Sequence, residues 1–85
     1  MKVRDDLSEL NPDALLADGL EDAFIGYTVN QHHPIVAVYD IDLCAKILID
    51  RDGMSYDEAE EFLGFNTTGA YVGENGPLFV KFIGE

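Results

Sequence analysis

Apolar and polar positions follow two different periods along this chain, and each change of period marks an element. Residues 23–29 (AFIGYTV) and 35–39 (IVAVY) are short runs of aromatic and β-branched residues, the types that suit a pleated, half-buried surface. Both are expected strands. The short polar stretch from Asn30 to Pro34 between them favours an antiparallel hairpin, and Pro34, with no N–H to donate, fits a strand start or an edge. Over 41–51 the polar residues Asp42, Lys46 and Asp50 step by four, as a stripe on a mostly buried helix, but they also all fall on even numbers, as one face of a strand requires; composition decides for helix. Leu43, Ala45 and Leu48 favour helix, Asp40 is placed to cap it, Asp42 stands i,i+4 to Lys46, and Gly53 is the expected stop. Ser55 and Glu58 have the spacing of a capping box, so a second helix begins there. Tyr56, Ala59, Phe62 and Leu63 form its expected inner side; Asp57, Glu58, Glu60 and Glu61 form the outer arc. Either Gly64 ends this helix or it runs on, kinked, through Asn66 to Tyr71. A turn is expected at 74–77, then a strand over 78–83 around Lys81. Near the start, Asn11, Pro12 and Asp13 read as the opening of a two-turn helix that buries Leu15 and Leu16 and stops at Gly19. Residues 1–10 are polar and expected to be loosely ordered. The expected architecture is one α+β domain over 1–85: a small three-stranded antiparallel sheet with two or three helices packed on one face.

Composition supports a core and adds a strong charge. The chain has 85 residues, 47% of them hydrophobic, with five Phe and four Tyr supplying bulk in the absence of Trp. A compact chain of this length has a radius of gyration of about 12 Å, room for one core. Acidic residues outnumber basic ones 17 to 5, a net charge of -12. Such a charge repels nucleic acid and anionic lipid, and it points either to solubility alone or to a basic partner. The single cysteine excludes an internal disulfide framework and a Cys-based zinc site. Residues 1–20 contain no apolar h-region and no run approaches 18 apolar residues, so neither a signal peptide nor a membrane span is expected, and the expected location is the cytoplasm.

Three stretches carry a resemblance. They are DRDGMSYDEAEEFLGFNTTGAYVGENGPLFV (50–80), NPDALLADGLEDAFIGYTV (11–29) and PIVAVYD (34–40). Together they are similar to a group of small acidic proteins of tailed phages and bacteria. The most specific part runs from Arg51, Asp52, Gly53 and Met54 through Phe65 and Asn66 to Gly69, Ala70 and Tyr71. Gly64 departs from the pattern, in which a helix-favouring residue precedes the Phe-Asn pair. The resemblance implies a phage or mobile-element origin and no particular activity, cofactor or catalytic residue.

Candidate chemistries are weak. Asp50, Arg51, Asp52 and Gly53 suggest a calcium loop, but with Gly53 at position six the loop would run from Leu48 to Ala59 and lack both essential carboxylates. Gly64 and Gly69 have P-loop spacing, but Ala70 and Tyr71 stand where Lys and Ser or Thr are required. Adjacent His32 and His33 point apart in extended backbone and read as solvated loop residues; the alternatives are a metal site that recruits Asp40 or another carboxylate, and a pH-sensitive contact. Cys44 reads as a core residue and Ser55 as a cap. No cofactor, metal or enzymatic activity is expected.

Two functional readings result. The first is a non-enzymatic acidic protein-binding module that presents Asp57, Glu58, Glu60 and Glu61 to a basic host protein, as an inhibitor. DNA mimicry is its sharpest and least supported form: about 30 Å of duplex carries roughly 18 charges, while the chain's 17 acids are spread over all faces. The second is a small-ligand or nucleotide-sequestering protein in which Tyr27, Tyr39 and Tyr71 frame an apolar groove with Asn66 as polar anchor, alone or at a homodimer interface. Ordinary sheet packing is the competing explanation of those tyrosines.

Overall fold

A computed structural model of the chain describes residues 2–29, 33–64 and 73–83. In chain order these form α1 (Lys2–Leu10), a 3₁₀ turn (Glu21–Ala23), β1 (Phe24–Tyr27), β2 (Ala37–Asp40), α2 (Ile41–Asp52), α3 (Tyr56–Leu63) and β3 (Leu78–Val80). The α+β class holds. The sheet order is β1-β2-β3, with β1 antiparallel to β2 as the hairpin pattern predicts. The purely antiparallel sheet is corrected, because β3 lies parallel to β2. The physical reason is the connection. Parallel neighbours need a long crossover, and α2 and α3 both lie between β2 and β3.

One row of side chains crosses all three strands. Phe24 pairs with Tyr39 and Tyr39 with Phe79. The first two rings meet edge-on and the second two stack, each pair 5.5 Å between centroids. Phe24, Ala37 and Tyr39 share one buried cluster with Leu7 of α1, Cys44, Ala45 and Leu48 of α2, and Ala59 and Leu63 of α3. The helices therefore cover the sheet face that carries the aromatic row.

Local chemistry sets the helix ends. Asp40 accepts hydrogen bonds from the N–H groups of Asp42 (2.9 Å) and Leu43 (3.3 Å), satisfying two orphan donors of α2. Gly53 ends α2 in the left-handed region (φ 73°), where its N–H reaches Ile49 O and the Met54 N–H reaches Leu48 O. The capping box of α3 is complete: Ser55 Oγ accepts the Glu58 N–H (3.2 Å), and the Glu58 carboxylate accepts the Ser55 N–H (2.8 Å). α3 is followed to Gly64; its continuation through Asn66 to Tyr71 lies outside the described residues.

Two expectations near the start are corrected. Residues 2–10 form a helix, and Leu7 is 2% exposed in the core, so this segment docks on the domain. Residues 11–19 are turns and irregular chain, with Leu15 and Leu16 exposed. Asp13 and Ala14 donate locally to Asn11, in a turn that does not propagate, while the Leu15 N–H donates to Asn75 O (3.0 Å) and the Ala17 N–H to Tyr39 Oη (2.8 Å). Asn11 Nδ2 adds bonds to Ile35 O (2.7 Å) and Asn75 Oδ1 (3.0 Å), tying the end of α1 to the approaches of β2 and β3. Asn11 is thus a tertiary clamp, not a helix start.

Candidate functional site

The acidic arc is built by α3. Asp57, Glu58, Glu60 and Glu61 are all exposed on this eight-residue helix. They differ in freedom. Glu58 is turned back by the capping box. Glu60 accepts a hydrogen bond from the Tyr56 hydroxyl one turn earlier, and this bond, with the carboxylate's charge, raises the tyrosine pKa. Tyr56 is accordingly an exposed residue of the acidic surface, correcting its expected inward position; Phe62 is exposed as well. Ala59 and Leu63 alone form the buried side of α3.

Three cations have described side chains, and each is matched to an aspartate. Lys46 Nζ lies 3.5 Å from Asp50, Arg51 Nε 2.9 Å from Asp52, and Lys81 Nζ 2.8 Å from Asp42. The expected Asp42–Lys46 pair does not form: the parallel placement of β3 brings Lys81 to Asp42, and Lys46 turns to Asp50. All three pairs are exposed, so they contribute little to stability. They do set local charge. The Arg51 hydrogen bonds hold the Asp52 carboxyl below its usual range, and Asp42 raises the Lys81 ammonium above its own. No charged side chain is buried among the described residues.

The tyrosine groove is not assembled. Tyr39 is 2% exposed at the centre of the core, with its hydroxyl oxygen taken by Ala17. Tyr27 is half-buried against the same core. Asn66 and Tyr71 lie outside the described residues, as does His32; His33 is exposed. Cys44 is fully buried, and burial, reinforced by the Asp40 carboxylate, pushes its thiol up to about 11. A thiol in that state is a poor nucleophile.

A shallow groove of about 480 Å³ lies elsewhere, between the 3₁₀ turn and α2. Glu21, Asp22 and Asp50 line it along with Lys46 and Arg51. Arg51 closes one side by donating to Gly19 O at 2.7 Å. Gly19 holds φ 87°, a left-handed backbone that favours glycine, and its carbonyl is the acceptor of the Arg51 guanidinium. Sequence reading missed this groove because its walls come from residues about 30 positions apart. Its two cations already have partners, which suits it poorly to phosphate. Among the described residues no three His, Cys, Asp or Glu side chains converge as metal ligands, and no helix is long and apolar enough to cross a membrane. No family model, curated protein or solved structure matches the chain.

Proposed function

We propose that this chain is a non-enzymatic acidic protein-binding module whose α3 surface meets a basic partner. One observation carries the reading. Lys46, Arg51 and Lys81 are each matched to an aspartate off α3, so Asp57, Glu58, Glu60 and Glu61 face solvent with no basic residue in their own helix. Long-range attraction to a cationic surface follows from such a predominantly acidic helix, even with the Lys81 charge acting on Glu60. In its finer form the module is a phage-encoded inhibitor acting on a host protein in the cytoplasm. DNA mimicry is the less favoured variant. The long axis of 37 Å matches a duplex segment carrying roughly 22 charges, more than the 17 acids of the whole chain.

The test is capture of host proteins on the immobilised full chain, at ~50 mM and ~0.5 M NaCl. The expected result is a basic protein retained at low salt and released at high salt. The quadruple variant Asp57→Asn, Glu58→Gln, Glu60→Gln, Glu61→Gln removes the arc's charge, while the amide introduced in place of the Glu58 carboxylate still closes the capping box. It is expected to weaken retention at least about tenfold. Retention indifferent to both salt and these substitutions overturns the reading.

A further inference from the structure

The sheet is the part of this molecule that carries almost no charge. Between Asp22 and Asp40 the sequence has no Asp, Glu, Lys or Arg, and between Glu74 and Glu85 it has only Lys81. With Asp40 at the bound of the first, these two stretches supply every strand among the described residues, and Asp40, the single acid in those strands, is engaged as the cap of α2. The described acids otherwise sit on the helices, the 3₁₀ turn and the loops.

β3 is an outer strand. β2 lies on one side of it, and among the described residues no strand lies on the other. Leu78 is 50% exposed and alternates with Phe79, so it projects from the face opposite the aromatic row. Beyond Val80, Phe82 is 61% and Ile83 97% exposed. An apolar strand edge of this kind is a template for another strand.

Charge decides which strand. A basic partner finds no acid within this strip, and beside it Asp42, already paired with Lys81 at 2.8 Å. Two copies of the chain, each at -12, oppose carboxylates on an approach through the helices, whereas edge to edge along β3 they bring together apolar residues and one Lys81–Asp42 pair each. The strip is also self-complementary. About a two-fold axis at Val80, antiparallel pairing sets Leu78 of one copy opposite Phe82 of the other, an aliphatic–aromatic cross-strand pair. We propose that two copies of this chain associate antiparallel along the outer edge of β3, through residues 78–83, giving one six-stranded sheet.

This association is weak. At about 150–250 Å² for a large aromatic and somewhat less for Leu and Ile, the three exposed side chains offer on the order of 400 Å² per copy, against roughly 800 Å² per partner in a standard interface. The remaining repulsion between the two acidic bodies is screened by salt. Salt therefore strengthens this contact, while it weakens binding of a basic partner, and the two proposals fail independently.

The experiment is sedimentation velocity on the full chain from ~10 µM to ~1 mM, at ~50 mM and ~0.5 M NaCl. Mass is expected to rise with concentration from 9.4 kDa towards twice that value, further at high salt. Phe82→Glu and, separately, Ile83→Glu are expected to hold the chain monomeric with an unchanged circular dichroism spectrum. Ile83 is almost wholly exposed, so its variant tests the contact even if Phe82→Glu disturbs the fold. A mass fixed at 9.4 kDa throughout, self-association that salt dissolves, or dimers that survive Ile83→Glu each overturn the proposal.

Discussion

Cys44 shows how a single residue couples packing to pH. Its thiol has no solvent contact and titrates at about 11, against 9.0 for a free thiol, mainly because burial disfavours the thiolate. Below pH 9 both folded and unfolded chains hold the proton, and the full stability is present. As pH rises past 9 the unfolded chain loses its proton first, so stability falls until the folded thiol also titrates near 11. A gap of two units corresponds to about 3 kcal/mol at the limit. Urea unfolding at about pH 8 and about pH 10.5 is expected to show a stability loss on the order of 2 kcal/mol larger in the native chain than in Cys44→Ala. Equal losses in the two proteins would show that the thiol does not feel the core. The same burial separates the tyrosines. Tyr39 is wholly interior while Tyr56 lies on the acidic surface, although the sequence pattern places Tyr56 inward and leaves Tyr39 between a groove and sheet packing.

At the scale of elements, α1 is the instructive case. Val3, Leu7 and Leu10 recur at i, i+4 and i+7, a helical spacing present in the sequence but diluted by polar residues over a single short segment. Such a helix is marginal alone and depends on the site it packs into. Leu7 supplies that docking, since it is buried while Leu10 stays exposed. Leu7→Ala is expected to cost about 2–5 kcal/mol in urea unfolding, and Leu10→Ala under about 0.5 kcal/mol. Equal small effects would mean that α1 does not belong to the core. Segment 11–19 behaves in the opposite way: it has good cap and stop residues but no apolar stripe to bury, so its opening turn at Asn11 stops and distant acceptors take the donors of Leu15 and Ala17.

The whole molecule is a small body with carboxylates on its helical side and a nearly neutral sheet. Its radius of gyration of 13.1 Å packs 12 uncompensated negative charges into little surface. Self-repulsion of that kind works against the compact state and is weakened by salt. The melting temperature, followed by calorimetry on dilute protein, is expected to rise by roughly 5 °C between ~10 mM and ~0.5 M NaCl, equivalent to about 1 kcal/mol. A melting temperature that falls with salt would mean that the exposed Asp–Lys and Asp–Arg pairs outweigh the net repulsion.

Sequence alone determined the ends of α2 and the start of α3, the hairpin of β1 and β2, the buried state of Cys44 and the exposure of the α3 carboxylates. Each depends on groups within a few residues of one another: a cap and its N–H, a turn and its flanking strands, one helical period. Tertiary structure decided the rest. The parallel direction of β3, the docking of α1, the irregular path of 11–19 and the inward position of Tyr39 rest on contacts such as Asn11 to Asn75 and Ala17 to Tyr39, 64 and 22 residues apart. Local pattern carries no record of which distant donor will meet which acceptor, because that choice is made only when the core closes around the aromatic row.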